Sequence, residues 1–432
     1  MGRTWIFGDL ISHLFDRGAP MRGQEDNRSL VEICHALLSQ EGEVSGLKLA
    51  ATALDRYNTL TKEGRLEFFQ YLNKDLDVDA QTLSSLAAKY ANDKSVDTFK
   101  QMTSASEPRR QELLRRLNQP VGATDTIVQM RVDLLEACKE DPTLRRTDHD
   151  FVHLFRSWFN RGFLVLRQID WDTPARILDK IVAYEAVHQI DDYDALRSRL
   201  SPADRKCYAY FHPSLPDEPL IFVEVALTDG VPGSIDDLLQ DGRDPIDPSS
   251  FNTATFYSIS NCQKGLAGIS FGNSLIKHVV AEVSLQFPQI DTFVTLSPIP
   301  GLNTWLDAQQ TDPDLGLAAQ AVLEGRADDD TRRALAARYL LHAKRADGTP
   351  ADPVARFHLG NGAEVHALHA NADVSSNGLR QSSSVMVNYL YDLSRTEANH
   401  AQFVTESMIA ASPSVQALAT ADLDLKSEEM SA

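Results

Sequence analysis

The stretch that decides the fold runs from residue 253 to residue 301 and reads TATFYSISNCQKGLAGISFGNSLIKHVVAEVSLQFPQIDTFVTLSPIPG. Its first eight residues are rich in β-branched and aromatic side chains, which predicts a strand. A glycine-containing loop follows, and residues 274–287 then place apolar side chains at helical spacing. The segment 292–301 predicts another strand, which ends abruptly at prolines. Strand, glycine loop, helix and strand therefore follow one another in this half of the chain.

Upstream of this stretch, the pattern changes from helix to strand near residue 205. Residues 206–230, KCYAYFHPSLPDEPLIFVEVALTDG, predict two strands joined by a Pro/Asp turn. Short amphipathic segments separated by polar links precede them and predict an antiparallel helical bundle. These segments are 29–40 (with Ser29 as N-cap), 46–57, 62–72, 82–92, 109–117, 125–139 and 148–159, and residues 303–345 are predicted to be helical again. We predict an α+β protein with a helical bundle or oligomerisation domain over 1–165 and a catalytic, mixed-sheet domain over 166–432.

The composition of the chain argues against nucleic-acid binding, membrane insertion and secretion. The 432 residues carry a formal net charge of -19, and this acidity argues against nucleic-acid binding, which needs clustered Lys and Arg. A local pocket lined by backbone amides can still hold a phosphorylated ligand. No apolar run approaches the ~18 residues of a membrane helix, and the N-terminus lacks the pattern of a secretory signal. Four widely spaced cysteines without a CxxC pair are typical of reduced thiols, so we expect a cytoplasmic protein.

The glycine loop is the first candidate binding site. Gly265, Gly268 and Gly272 let the backbone approach a phosphate, and the helix that follows offers unpaired N–H groups and the positive end of its dipole. The loop is neither a Walker A motif nor a good Rossmann fingerprint. Glycine loops between strand and helix are often only turns, so this feature alone leaves binding open.

The segment from Tyr257 to Gly301 resembles the signature of the malonyl-CoA decarboxylase family. Four further segments resemble the same family and occur in the family's order. They are YEAVHQI (184–190), HPSLPDEPLIFVEVALT (212–228), DPVARFHLGNGA (352–363) and VMVNYLY (385–391). The resemblance implies a helical N-terminal domain, a GNAT-like catalytic domain that binds acyl-CoA, and the decarboxylation of malonyl-CoA to acetyl-CoA and CO2.

The resemblance also implies where the nucleotide end of CoA binds. In the GNAT fold, the loop between the fourth strand and its helix wraps the CoA pyrophosphate, which corresponds here to Ala267, Gly268, Ile269, Ser270, Phe271, Gly272 and Asn273. The GNAT pattern Gln/Arg-x-x-Gly-x-Gly/Ala is met only at its end, by Gly272. Because Ala267 and Ser270 depart from it, we expect backbone contacts rather than contacts from these two side chains.

The family's catalytic serine corresponds to Ser297 and its catalytic histidine to His358. Loss of CO2 from malonyl-CoA leaves a thioester enolate, which needs a hydrogen-bond donor near its oxygen and a proton delivered to its carbon. The family assigns the serine a role as proton acceptor, whereas we interpret Ser297 as orienting the substrate by hydrogen bonding. His358, between Phe357 and Leu359, is expected to titrate near neutrality and to protonate the enolate. Without the resemblance, a buried structural histidine before a turn would be the simpler interpretation.

Other polar residues are weaker candidates. His366 and His369 form an HxxH without an evident third ligand, and we expect a structural role and no metal site. Asn388 and Tyr389 line the acyl pocket or pack in the core, and His212 caps a hairpin turn. Three cations are candidates for the CoA phosphates, with solvated surface charge as the simpler interpretation: Lys264, Lys277 and Arg380.

The resemblance implies malonyl-CoA and acetyl-CoA as ligands, no membrane partner, and a homodimer or homotetramer. No metal or organic cofactor is expected, because the thioester is itself the electron sink. Two alternatives stay open. A GNAT-type acyltransferase would pass an acyl group to an amine, and a non-catalytic acyl-CoA-binding regulator would retain only the binding site.

Overall fold

The computed structural model describes residues 26–39, 43–240, 247–269 and 271–423. The predicted fold class is confirmed, since helices fill the first part of the chain and a mixed sheet follows. Contacts divide the chain into two compact units. The first comprises Met1–Val165, Phe211–Leu220 and Cys262–Ser270, and the second comprises Leu166–Tyr210, Ile221–Asn261 and Phe271–Ala432. Two short segments of the second half, one of which carries the glycine loop, thus belong to the first unit.

Several helices of the first unit begin at side-chain caps. The Ser29 amide and hydroxyl both donate to Glu32, and Thr61 and Asp79 each accept from the first turn of their helix. Its helices are α1 (Leu30–Ser39), α2 (Glu43–Asn58), α3 (Lys62–Lys74), α4 (Ala80–Asn92), α5 (Val96–Ser106), α6 (Arg109–Leu117), α7 (Ala123–Glu140) and α8 (Arg145–Trp158). Each predicted segment of this part falls on one of these helices, and residue 40 lies outside the described residues.

Among the α-helices described for this unit, α5 is the one that the sequence analysis missed. Its sequence, VDTFKQMTSAS, is rich in Ser and Thr, which favour caps and turns over helix interiors. Ser95 caps it through the Thr98 amide, and Phe99 contacts Tyr90 of α4 with ring centroids 5.8 Å apart. Packing against α4 therefore stabilises a helix whose own sequence predicts it weakly.

The mixed sheet lies mainly in the second unit. Its strands are β1 (Val165–Ile169), β2 (Arg205–Phe211), β3 (Ile221–Thr228), β4 (Thr253–Asn261), β5 (Thr292–Thr295), β6 (Ser297–Pro298), β7 (Glu364–His369) and β8 (Met386–Leu390). They follow the order β1-β2-β3-β4-β5-β8-β6, and β7 also pairs with β8. The pairs β2/β3, β3/β4, β5/β8, β6/β8 and β7/β8 are antiparallel, whereas β4 and β5 are parallel and are connected by α12 (Gly272–Gln286).

Strands β4 and β5 diverge halfway along. Their pairing runs from Thr253 opposite Thr292 to Phe256 opposite Thr295, and the amide of Leu296 then donates to the carbonyl of Phe256. Among the described residues, the rest of β4 pairs only with β3. The chain beyond β5 turns to β8 instead, where Ser297 lies opposite Val387. This divergence opens the sheet edge of β4 beside Ser297.

The remaining described α-helices belong to the second unit. The predicted helical segment 303–345 is confirmed as three consecutive helices, Leu302–Gln309, Gly316–Leu323 and Asp329–His342. The helices are α9 (Ala175–Tyr184), α10 (Tyr193–Leu200), α11 (Ile235–Leu239), α13 (Leu302–Gln309), α14 (Gly316–Leu323), α15 (Asp329–His342), α16 (Pro353–Gly360), α17 (Ser376–Ser382), α18 (Thr396–Glu406) and α19 (Pro413–Thr420). In the described ranges, no helix has both the length and the apolarity that crossing a bilayer requires.

Candidate active site

Ser297 lies where the sheet opens. Its neighbour Pro298 restricts the serine to an extended conformation, and β6 pairs with β8 across Val387. The Ser297 hydroxyl donates to Thr295 Oγ1 at 2.9 Å, and Thr295 Oγ1 also accepts from the Tyr389 amide at 3.2 Å. The serine is buried and held in one orientation by the strand end that carries it.

His358 reaches the same place from a different element. It lies in the last turn of α16, a helix that begins with Pro353 and is capped by Asp352, whose carboxylate accepts from Val354 and Ala355 at 2.9 Å. The other oxygen of Asp352 accepts from the amide of Gly301, at the end of the LSPIPG segment. One buried carboxylate thus ties the start of the histidine's helix to the segment that follows the serine.

The two candidate catalytic side chains meet. His358 Nε2 lies 3.4 Å from Ser297 Oγ, although 61 residues separate them in the chain. His358 Nδ1 lies 2.8 Å from the hydroxyl of Tyr391, and the imidazole stacks on the ring of Tyr389 at 4.6 Å between centroids. The imidazole is thereby oriented on both nitrogens and on one face.

The electrostatics of the pair differ from the sequence prediction. Burial lowers the pKa of His358 to about 3, and burial raises the pKa values of the Tyr389 and Tyr391 phenols. The expectation that His358 titrates near neutrality is therefore wrong, because burial desolvates the imidazolium and no charged group among the described residues offsets that cost. The histidine is neutral at physiological pH, as are the two tyrosines.

The chain matches known proteins over both units. Residues 76–159 match the model of the malonyl-CoA decarboxylase N-terminal domain, and residues 162–430 match the model of the malonyl-CoA decarboxylase C-terminal domain. The chain belongs to the malonyl-CoA decarboxylase family. This membership confirms the family and the enzyme class, a carboxy-lyase, that the sequence predicted.

Solved and curated relatives agree with this assignment. The chain is 48% identical to the malonyl-CoA decarboxylase of Rhodopseudomonas palustris, with a TM-score of 0.83 over 90% of this chain and 98% of that one. The malonyl-CoA decarboxylase of Agrobacterium vitis is 45% identical, with a TM-score of 0.85 over 90% and 99%. The mitochondrial malonyl-CoA decarboxylase of Anser anser anser is 33% identical over 71% of this chain and 69% of the relative.

The predicted CoA loop lies between β4 and α12. Ala267, Gly268 and Ile269 form a turn after a short 3-10 segment, Phe271 is buried at the N-cap of α12, and Gly272 begins the helix. Gly268 has φ +81°, in the left-handed region that favours glycine. Ser270 and the side chain of Asn273 lie outside the described residues.

Gly272 connects the loop's helix to the histidine's helix. A Cβ at this position would lie 2.3 Å from two ring carbons of Phe357, the residue before His358. Only glycine therefore lets the first turn of α12 pack this closely on α16. The N-terminus of α12 has amides without partners inside the helix. Through this contact it lies next to the residue that precedes the buried imidazole.

The YEAVHQI segment packs on β4 beyond the point where β4 and β5 diverge. Glu185 accepts from the Ser258 hydroxyl at 2.8 Å and from the amides of Val187 and His188 at 2.8 Å. Burial lowers the pKa of His188 to about 4. This network fixes the loop against the strand whose other edge is open.

The weaker candidates fall mostly into structural roles. His369 bonds to Asn388, whose amide donates to the carbonyls of Thr295 and Pro232, while His366 lies on β7 near Glu364. In the described part of the chain, no group of three or more His, Cys, Asp or Glu side chains gathers as metal ligands do.

His212 accepts from the Ser214 amide at 3.1 Å and so caps its turn, as predicted. Three candidate cations have exposed side chains: Lys264, Lys277 and Arg380.

Two residues of the site were missed by the sequence analysis. Tyr391 bonds to His358, and Thr295 bonds to Ser297. Alternate residues of a strand point to the same face, so the spacings 295/297 and 389/391 were the available signal. They were not used because neither partner carries an obvious chemical function on its own.

Proposed function

We propose that this chain decarboxylates malonyl-CoA to acetyl-CoA and CO2, with Ser297 and His358 as its catalytic residues. The observation that carries the proposal is the 3.4 Å approach of Ser297 Oγ and His358 Nε2 beside the divergence of β4 and β5. Membership in the family, and relatives that bear the name malonyl-CoA decarboxylase, support the choice of substrate.

Ser297 acts by hydrogen bonding. Its hydroxyl can leave Thr295 and donate to the thioester carbonyl or to the departing carboxylate of the malonyl group. As CO2 leaves, the electron pair of the breaking C–C bond moves onto the thioester oxygen and forms an enolate. A donor placed at such an oxygen contributes roughly 2.7–4 kcal/mol to the stability of the transition state. Acylation of Ser297 is not required, because no acyl group is transferred.

His358 delivers the proton. The neutral imidazole takes up one proton when the malonyl carboxylate enters, because a nearby negative charge raises the pKa that burial alone depresses. At about 4 Å and an effective dielectric of about 20, this attraction is worth roughly 4 kcal/mol, or about 3 pKa units. After CO2 has left, the imidazolium protonates the enolate carbon and becomes neutral again. The balance is one proton consumed for each CO2 released.

The nucleotide end of CoA binds the segment 267–273, chiefly through backbone N–H groups. The first turn of α12 offers amides without partners inside the helix and the positive end of its dipole. The thioester serves as electron sink, so the proposal needs no metal or organic cofactor. We further propose that the protein acts in the cytoplasm, since its four cysteines are widely spaced in the sequence and form no CxxC pair. As the family resemblance implies, we also propose that it forms a homodimer or homotetramer.

Incubation of the purified protein with malonyl-CoA alone tests the proposal. CO2 and acetyl-CoA should form without any acceptor, and S297A and H358N should each lower kcat by at least ~10²-fold. Their affinity for CoA should stay close to that of the wild type. Release of CoA only in the presence of an amine would indicate the acyltransferase instead, and binding without turnover would indicate the regulator.

A further inference from the structure

A buried arginine of the helical unit holds the carbonyls of the predicted CoA loop. Arg131, on α7, donates from Nη1 to the carbonyl oxygens of Gly265 and Ala267, each at 2.8 Å. Its Nε donates to Asp148 of α8 at 2.7 Å, and its side chain is only 3% exposed. The planar guanidinium carries several donors in fixed directions. Its Nε can therefore pair with Asp148 while its Nη1 bonds to the two loop carbonyls.

This contact sets the direction of a loop amide. In a trans peptide, the carbonyl of one residue and the N–H of the next point in opposite directions. Because Arg131 holds the Ala267 carbonyl, the N–H of Gly268 points to the opposite side of the peptide. Within the described ranges, that N–H meets no hydrogen-bond acceptor in the protein. An unpaired amide held in this way is suited to an anionic oxygen.

The loop is also seated directly on α7. A Cβ at Gly265 would lie 2.1 Å from the carbonyl oxygen of Val128 and 2.8 Å from its Cγ1. Backbone thus packs on backbone one turn before Arg131 on the same helix. The seat and the arginine together fix the position and the orientation of the segment 265–268.

We infer that Arg131, paired with Asp148, is a positioning residue for the CoA pyrophosphate: it preorganises the Ala267–Gly268 peptide of the loop. The inference rests on the proposed function, which assigns this loop to the nucleotide end of CoA. It makes the helical unit part of the binding apparatus, in addition to any role as a scaffold. Loss of Arg131 should weaken the binding of the nucleotide end and leave the chemistry at the thioester unchanged.

The test compares R131Q with R110Q. Arg110 is a matched control, because its side chain is also 3% exposed and is paired with Asp150 and Asp77. Its ion pairs lie within the helical part of the chain, and it does not bond to the loop carbonyls that Arg131 holds. R131Q should raise the KM for malonyl-CoA and the Kd for CoA about tenfold or more, with kcat within about threefold of wild type, while R110Q should leave all three values near wild type. R131K should restore CoA affinity only in part, since one ammonium cannot hold Asp148 and both carbonyls together.

A truncated substrate separates positioning from general structural damage. Malonyl-pantetheine lacks the pyrophosphate, so R131Q should act on it with the same kcat/KM as the wild type. An equal loss of kcat/KM on both substrates, or an equal rise in KM for R110Q, would overturn the inference. If R131Q does not fold, D148N keeps the arginine and should raise the KM by a smaller factor, with the same dependence on substrate.

The assignment of this loop to the nucleotide end of CoA is tested separately by G268D. This substitution places a side chain and a negative charge at a residue with φ +81°. Undiminished CoA binding by G268D would remove the loop from the CoA site, and this inference with it. Weaker binding by G268D together with normal binding by R131Q would overturn the role of Arg131 alone.

Discussion

Removal of the Tyr391 hydroxyl is a defined perturbation of the proposed active site. In Y391F the ring remains, and only the oxygen 2.8 Å from His358 Nδ1 is lost. Both partners are buried, so the imidazole nitrogen loses its hydrogen bond in the protein interior. Leaving a buried polar atom unpaired costs about 1–3 kcal/mol. If this loss falls on the orientation and protonation of His358, kcat should decrease roughly 5- to 150-fold.

The assay is the steady-state rate of acetyl-CoA formation from malonyl-CoA, with the KM measured in the same series. Y389F is the matched control, because Tyr389 lies two residues away on β8 and its hydroxyl has no hydrogen-bond partner among the described residues. That variant keeps the ring that stacks on His358, so its kcat should stay within about twofold of wild type. Equal kcat values for Y391F and the wild type would refute the assignment of Tyr391 to the orientation of His358.

Two further predictions follow from the site. Calorimetric titration of S297A with malonyl-CoA, in buffers that differ in ionisation enthalpy, should show proton uptake that increases as the pH falls from about 8 to about 6. Acetyl-CoA should cause little proton uptake. Equal uptake with both ligands would contradict the protonation of His358 in response to the malonyl carboxylate. G272A should displace the Phe357 ring and lower kcat/KM at least about tenfold, because the new Cβ would lie 2.3 Å from that ring; unchanged kinetics would show that α12 and α16 can separate freely.

The sequence predicted the elements that carry strong periodicity. The β4–loop–α12–β5 order and most helices of the first unit follow from apolar spacing and caps, and these are local signals. Helix α5 was missed because it is rich in Ser and Thr. That residues 211–220 and 262–270 belong to the first unit was missed because no local sequence signal marks these two segments. The seating of Gly265 on Val128 depends on residues more than a hundred positions apart, which no sequence window contains.

The site was predicted only in part for the same reason. The resemblance named Ser297 and His358, and the structure brings these two side chains together. The pKa of His358 was predicted wrongly, because desolvation depends on everything packed around the imidazole and not on its two neighbours in the chain. Arg131 lies in a helix with no unusual composition, and its contact with the loop is visible only in three dimensions.

A double-mutant cycle tests most directly whether Ser297 and His358 act as one catalytic unit. The kcat for malonyl-CoA decarboxylation is measured for the wild type, S297A, H358N and the double variant. Residues that serve one transition state lose activity non-additively, so the double variant should be about as slow as the slower single variant. A product of two independent losses, or near-normal kcat in either single variant, would contradict the proposed mechanism.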